Sequence, residues 1–199
     1  MKEKVHSNTE CGQDDRALWF AFQKGDRDAF ETIYRTHIAH LISYGFKITG
    51  EKPVIQDCIQ DLFMELWDHR EGLGEVRVIK HYLLKSLRYK IIRSLRESYT
   101  EDLEVVSYRI EEDPFENRLL EEEVGVQQSK KLHAALAKLP KRQKEAIHLR
   151  YFEEMSNEEV ADLMGVNYQS ACKFIYTGLK NLRDFLLFLI FIISQILIY

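Results

Sequence analysis

The stretch SNEEVADLMGVNYQSACKFIYTGLKNLR, residues 156–183, reads as two helices separated by a glycine turn. Ser156-Asn157-Glu158-Glu159 has the form of a capping box, with a hydroxyl at the N-cap and a carboxylate three residues on to satisfy the free amides. Val160, Ala161 and Leu163 give the first helix its apolar side. Gly165 can take the left-handed conformation that a tight turn needs, and Val166 is then available to plug the space between the helices. Asn167 is placed to cap the second helix, 168–182, whose expected inward stripe is Ala171, Ile175, Leu179 and Leu182. Gln169, Ser170, Lys173, Tyr176, Thr177 and Lys180 are left outward, and Tyr168, Gln169 and Ser170 lie at the N-terminal end. A helix-turn-helix puts that end into the major groove. Gln169 and Ser170 suit base edges, whereas Lys173 and Lys180 suit phosphates.

Charge supports a nucleic-acid partner through its distribution rather than its sum. The formal net charge is −4, which alone would not point to DNA. From Arg77 to Arg96 there are seven basic residues and no acidic one. Residues 97–123 carry eleven acidic residues against Arg109 and Arg118, and residues 130–183 carry ten basic against six acidic. Basic, acidic and basic blocks alternate. Lys141, Arg142, Lys144 and Arg150, just before the helix-turn-helix, are placed to hold flanking DNA backbone.

With nine Gly, three Pro and 45% hydrophobic residues in 199, the chain reads as helical and able to bury real cores. Apolar residues recur at helical spacing over 14–23, 26–46, 54–69 and 78–98. Their inward sets include Phe30, Ile33, Tyr34, Ile38, Leu41, Ile42 and Gly45. The third helix adds Ile55, Ile59, Leu62, Phe63, Leu66 and Trp67, and the fourth Ile79, Tyr82, Leu83, Ser86, Leu87 and Ile91. Residues 72–74 read as a loop. The acidic stretch 97–117, with weak periodicity and Pro114, reads as a linker. A lead helix from about 115 to 137 and a helix over 141–152 precede the helix-turn-helix. The expected fold is all-α: two small helical domains, 14–98 and 118–183, an acidic linker over 99–117, and an apolar C-terminal helix over 184–199.

Asp57-Cys58-Ile59-Gln60-Asp61-Leu62-Phe63-Met64-Glu65-Leu66-Trp67 resembles the region 2 core of sigma factors of the extracytoplasmic-function type, in the sigma-70 family. Ala29–Tyr34 is similar to the start of that region and Tyr82–Arg88 to its promoter-facing helix. Leu139–Gln143 and Leu149–Glu153 are similar to the opening of region 4. The resemblance spans roughly residues 14–183, with two motif sets in the family's order. It implies an alternative sigma factor that brings core RNA polymerase to promoter DNA, the polymerase supplying the chemistry. Asp57, Gln60, Asp61 and Met64 would then dock on the largest polymerase subunit; the first three share one helical face by their spacing. Lys85, Arg88 and Arg93 would hold phosphates at the minus-ten element, with Tyr82 and Tyr89 stacking on exposed bases. Region 4, through Arg142, Arg150 and the recognition helix, would bind the minus-thirty-five duplex. The acidic linker would thread channels that otherwise hold nucleic acid. Tyr89 and Arg93 depart from a frequent Asn and Asp, and Cys172, Phe174 and Thr177 stand where basic or polar residues are common. The promoter sequence therefore does not carry over from relatives.

Residues 185–199 are apolar except for Ser194 and Gln195. Fifteen helical residues reach about 22 Å, short of the roughly 30 Å hydrocarbon core. The tail is expected to pack on the protein's own domains or on a partner, such as an anti-sigma factor or other recruiting protein, or to rest on a membrane surface. Three scattered cysteines fit a reducing cytoplasm and neither a disulfide framework nor a zinc site, and residues 1–16 show no signal-peptide core. His37 and His40 sit three apart without a third ligand, so no metal, cofactor or catalytic residue is expected. A helix-turn-helix regulator acting without polymerase would have no use for the Asp57–Asp61 face. An adaptor that lends a sigma-like body to another recruiting protein is the third reading.

Overall fold

In a computed structural model the structure describes residues 7–101, 136 and 138–197, and side chains over 14–97, 136 and 138–184. Every described element is helical. The elements are α1 (Ser7–Gln23), α2 (Arg27–Ile48), α3 (Lys52–Asp68), a 3-10 turn (Arg70–Gly72) and α4 (Ile79–Glu101). After these come α5 (Lys141–Ile147), a π turn (His148–Phe152), α6 (Asn157–Met164) and α7 (Tyr168–Leu197). The chain forms two compact units, Met1–Arg109 and Ile110–Tyr199. The expected lead helix, except Leu136, and the linker beyond Glu101 lie outside the described residues. Helix α4 runs three residues into the stretch expected to be linker.

The first unit closes on an aromatic centre. Trp19 and Phe22 of α1 are buried, and Phe22 stacks on Phe30 of α2 at 5.7 Å. Trp67 of α3 lies 5.0 Å from Phe30, and Arg70 covers the Trp67 ring at 4.7 Å. Trp67 and Phe63 thus belong to the packing, not to an outer face. In α2 the buried line is Ala29, Ile33, His37, Leu41 and Tyr44, rotated from the expected one. Tyr34 is 43% exposed although its ring still meets Phe63 at 4.9 Å. His37 is buried while His40 is exposed, so the two histidines do not share a face. Gly45 lets α3 approach: a Cβ there would stand 2.6 Å from Ile55. Pro53 sits in the first turn of α3, where its missing N–H costs nothing.

Helix α4 is buried over a wider arc than one stripe. It packs on both α2 and α3, so Leu84 is fully buried together with Ile79, Leu83, Leu87 and Ile91. Its N-terminus is capped from a distance: the Ile79 amide donates to Asp15 Oδ2 of α1 at 2.9 Å. Helix α1 also grips the preceding loop. Trp19 Nε1 donates to the Gly74 carbonyl at 3.1 Å and Gln23 Nε2 to the Leu73 carbonyl at 2.6 Å.

In the second unit the expected helix over 141–152 divides. It is α-helical to Ile147 and then opens into a π turn. The wider turn accommodates a buried pair, with His148 Nε2 3.2 Å from Glu153 Oε1 and both side chains almost fully enclosed. Ala146, Ile147, Leu149, Met155, Val160 and Ala171 fill the core. The inward stripe of α7 corrects the sequence expectation at one place. It passes through Ala171, Ile175, Gly178 and Leu182, while Leu179 is 40% exposed. The cause is a close helix crossing, since a Cβ on Gly178 would stand 2.6 Å from Ile147 Cδ1 of α5.

Candidate nucleic-acid interface

The helix-turn-helix is built by local chemistry. Ser156 Oγ accepts from the Glu159 amide at 3.2 Å, and Glu159 Oε2 accepts from the Ser156 amide at 2.8 Å. Both halves of the capping box are thus present. Gly165 adopts φ 63°, ψ 41° and ends α6. Asn167 Oδ1 then accepts from the Ser170 amide at 2.8 Å, which caps α7. A Ser156→Ala chain should lose about 1 kcal/mol of stability in the second unit, read as a lower unfolding midpoint in urea. An unchanged midpoint would mean that the cap does not control α6.

On α7, Gln169, Lys173, Tyr176 and Lys180 are exposed and Ser170 is half-buried, as an outward face requires. Thr177 is less available than expected, because its hydroxyl donates to the Lys173 carbonyl at 2.6 Å. Tyr168 is half-exposed, with Cys172 and Asn157 as neighbours. Cys172 is the main cause that pushes the phenol above its ordinary value. Asn157 Nδ2 in turn donates to Cys172 Sγ at 3.4 Å, which ties the first residue of α6 to α7. Of the expected flanking cations, Arg142 is exposed and stands 3.6 Å from Glu145. Arg150 is half-buried, and its Nη1 donates to the Met155 carbonyl at 3.0 Å. It therefore braces the loop that enters the helix-turn-helix.

In the first unit a groove of about 860 Å³ runs between α3 and α4. Asp57 and Asp61 line one wall, and Lys85, Tyr89 and Arg93 the other. Residues assigned on the sequence to two different partners therefore share one groove. Asp57, Gln60, Asp61 and Met64 are all exposed, Met64 by 56%. Tyr89 is 68% exposed. Lys85 is exposed and Arg88 is half-buried. Arg93 bonds Glu97 at 2.8 Å, and Lys90 reaches across to Glu65 at 2.6 Å, bracing the walls. Burial pushes the Cys58 thiol up, with Asp61 adding to the effect.

The described residues thus hold a capped helix-turn-helix in one helical unit and a groove of paired charge in the other. Residues 129–182 match the family described as sigma-70, region 4. The chain is 22% identical over 161 residues to the RNA polymerase sigma factor SigZ of Bacillus subtilis, covering 80% of this chain and 84% of that protein. Its likeness to SigV of the same organism is 42% over 52 residues, 26% of this chain and 31% of that one. Its fold is like that of the sigma factor RpoE solved in complex with the anti-sigma factor NepR from Bartonella quintana. The TM-score is 0.60 at 18% identity, over 79% of this chain and 96% of that one. CnrH, solved in complex with the cytosolic domain of CnrY, gives 0.58 at 19% identity, over 86% and 96%. The likeness to sigma factors extends over 161 residues, and the region 4 match falls on the capped helix-turn-helix.

Proposed function

We infer that the chain is an alternative sigma factor, which binds core RNA polymerase and directs it to a particular set of promoters. The observation that carries this reading is the coexistence of two surfaces in one chain. A stand-alone DNA-binding regulator explains α6 and α7 but has no need of the exposed Asp57, Gln60, Asp61 and Met64 on α3. In this reading that face docks on the polymerase. Lys85, Arg88, Tyr89 and Arg93 meet the minus-ten element as its strands part, the aromatic ring stacking and the cations holding phosphate. The outward side of α7 meets the minus-thirty-five element as duplex, with Arg142 on the flanking backbone. Arg150 acts indirectly by holding the entry loop. The site of action is then the cytoplasm, where the polymerase and the chromosome are.

Helix α7 continues without a break from the recognition residues to Leu197, so the apolar segment 185–197 extends the DNA-reading helix itself. Among the described residues no helix is long and apolar enough to cross a membrane. This segment is a fitting seat for an anti-sigma or other recruiting partner, because binding there acts directly on the helix that reads DNA.

The decisive experiment combines the purified chain with core polymerase and maps transcripts from genomic fragments. New start sites are expected, and a chain that never associates with core would end this reading. Within it, Lys173→Ala should weaken upstream-element binding on all sequences and lower the salt slope by about one. Gln169→Ala should instead change which sequences are preferred, read by binding to a panel of single-base variants.

A further inference from the structure

The outward side of the recognition helix is poor in charge and rich in aromatic surface. Tyr176 is 69% exposed and Tyr168, the first residue of α7, is 49% exposed. Lys173 is the one cation among residues 168–177.

A tyrosine can offer DNA its hydroxyl or its ring. At exposures of 49% and 69% both side chains present ring as well as hydroxyl. The neighbouring Thr177 hydroxyl is committed to the Lys173 carbonyl at 2.6 Å. Apart from the tyrosine hydroxyls, polar readout from this face therefore narrows to Gln169 and the half-buried Ser170. The major groove presents one apolar group on its base edges, the C5-methyl of thymine. An aromatic ring gains by covering it, since water leaves both surfaces.

We propose that Tyr168 and Tyr176 select the minus-thirty-five element by apolar contact with thymine methyl groups. The proposal rests on the promoter reading above and gives the chemistry of its upstream contact. Base choice then depends on methyl placement, while Lys173 and Lys180 add affinity without sequence information.

The test uses the full chain assembled with core polymerase. Duplexes retained from a random-sequence pool give the preferred upstream element. Each thymine of that element is then replaced singly by deoxyuridine, which deletes only the methyl group. Binding should weaken about three- to fivefold at each contacted thymine, the factor expected for one buried carbon. Tyr176→Ala and Tyr168→Ala should each abolish the response at one thymine, with little change in unfolding midpoint because both side chains are largely exposed. Tyr176→Phe should keep the response. Retention with no deoxyuridine effect at any position overturns this proposal and leaves the promoter reading standing. So does a Tyr176→Phe chain that behaves like Tyr176→Ala, which would assign the hydroxyl to phosphate. If the assembled complex retains no preferred duplex, both readings fall together.

Discussion

A Gly178→Leu chain should lose the folded second unit at temperatures where the parent is stable, and with it all binding to the upstream element. The argument is steric and graded. Already the Cβ would stand 2.6 Å from Ile147 Cδ1 and 3.3 Å from Gln143 Cβ. Ile147 is 3% exposed and packs with Leu139 and Leu182, so it has little room to withdraw. Alanine is the informative control. It adds only the Cβ, gains about 1 kcal/mol of helix propensity over glycine, and forces Ile147 off its rotamer at about 0.5–1.5 kcal/mol. These nearly cancel, so Gly178→Ala should fall within about 1 kcal/mol of the parent. Leucine adds three further carbons to a filled crossing, and overpacking of that kind costs about 3 kcal/mol or more. Urea unfolding followed by circular dichroism reads both variants. A Gly178→Leu chain as stable as the parent would show that α5 and α7 do not cross closely at that point.

The same crossing shows where sequence reading reaches and where it stops. The capping box at Ser156, the turn at Gly165 and the cap at Asn167 were legible because each is completed by residues within four positions of one another. The inward set of α3 was legible because its buried residues form one stripe at helical spacing. Leu179 was assigned to the core because helical periodicity alone favours an apolar residue there over glycine. The structure chooses Gly178, since a second helix must come close, and the sequence does not announce which helix that is. Leu84 was missed for a related reason. Packing on two neighbours widens the buried arc of α4 to about 140° at 100° per residue. The capping of α4 by Asp15, 64 residues away, leaves no local signature. At the candidate sites, the exposed set on α3 was readable from spacing. The commitments of Arg150 and Thr177 to internal partners were not, because they depend on where the backbone places their acceptors.

Reversing charge at Asp57 and Asp61 together, to lysine, should reduce association with core polymerase by about a thousandfold or more while the chain remains folded. Both residues are exposed on α3, and surface substitutions of this kind usually shift stability by about 0.5 kcal/mol or less. Close interfacial charge pairs carry coupling energies of about 1.5–7 kcal/mol. Reversal replaces attraction by repulsion at two such positions, so even the lower end of that range exceeds about 4 kcal/mol in sum. The double change to asparagine should weaken association less, because it removes attraction without adding repulsion. Titration of core polymerase with labelled chain measures the loss, and the unfolding midpoint checks the fold. Lys173→Ala supplies the opposite control. It lies in the second unit and should leave core association unchanged while weakening duplex binding. If the reversed chain binds core as the parent does, the α3 face is not the docking surface. The paired charges of the α3–α4 groove would then belong to promoter DNA or to the packing of the unit. If it fails to bind while Lys173→Ala binds normally, polymerase docking and duplex reading separate onto the two units, as proposed for the exposed carboxylates of α3 and the outward face of α7.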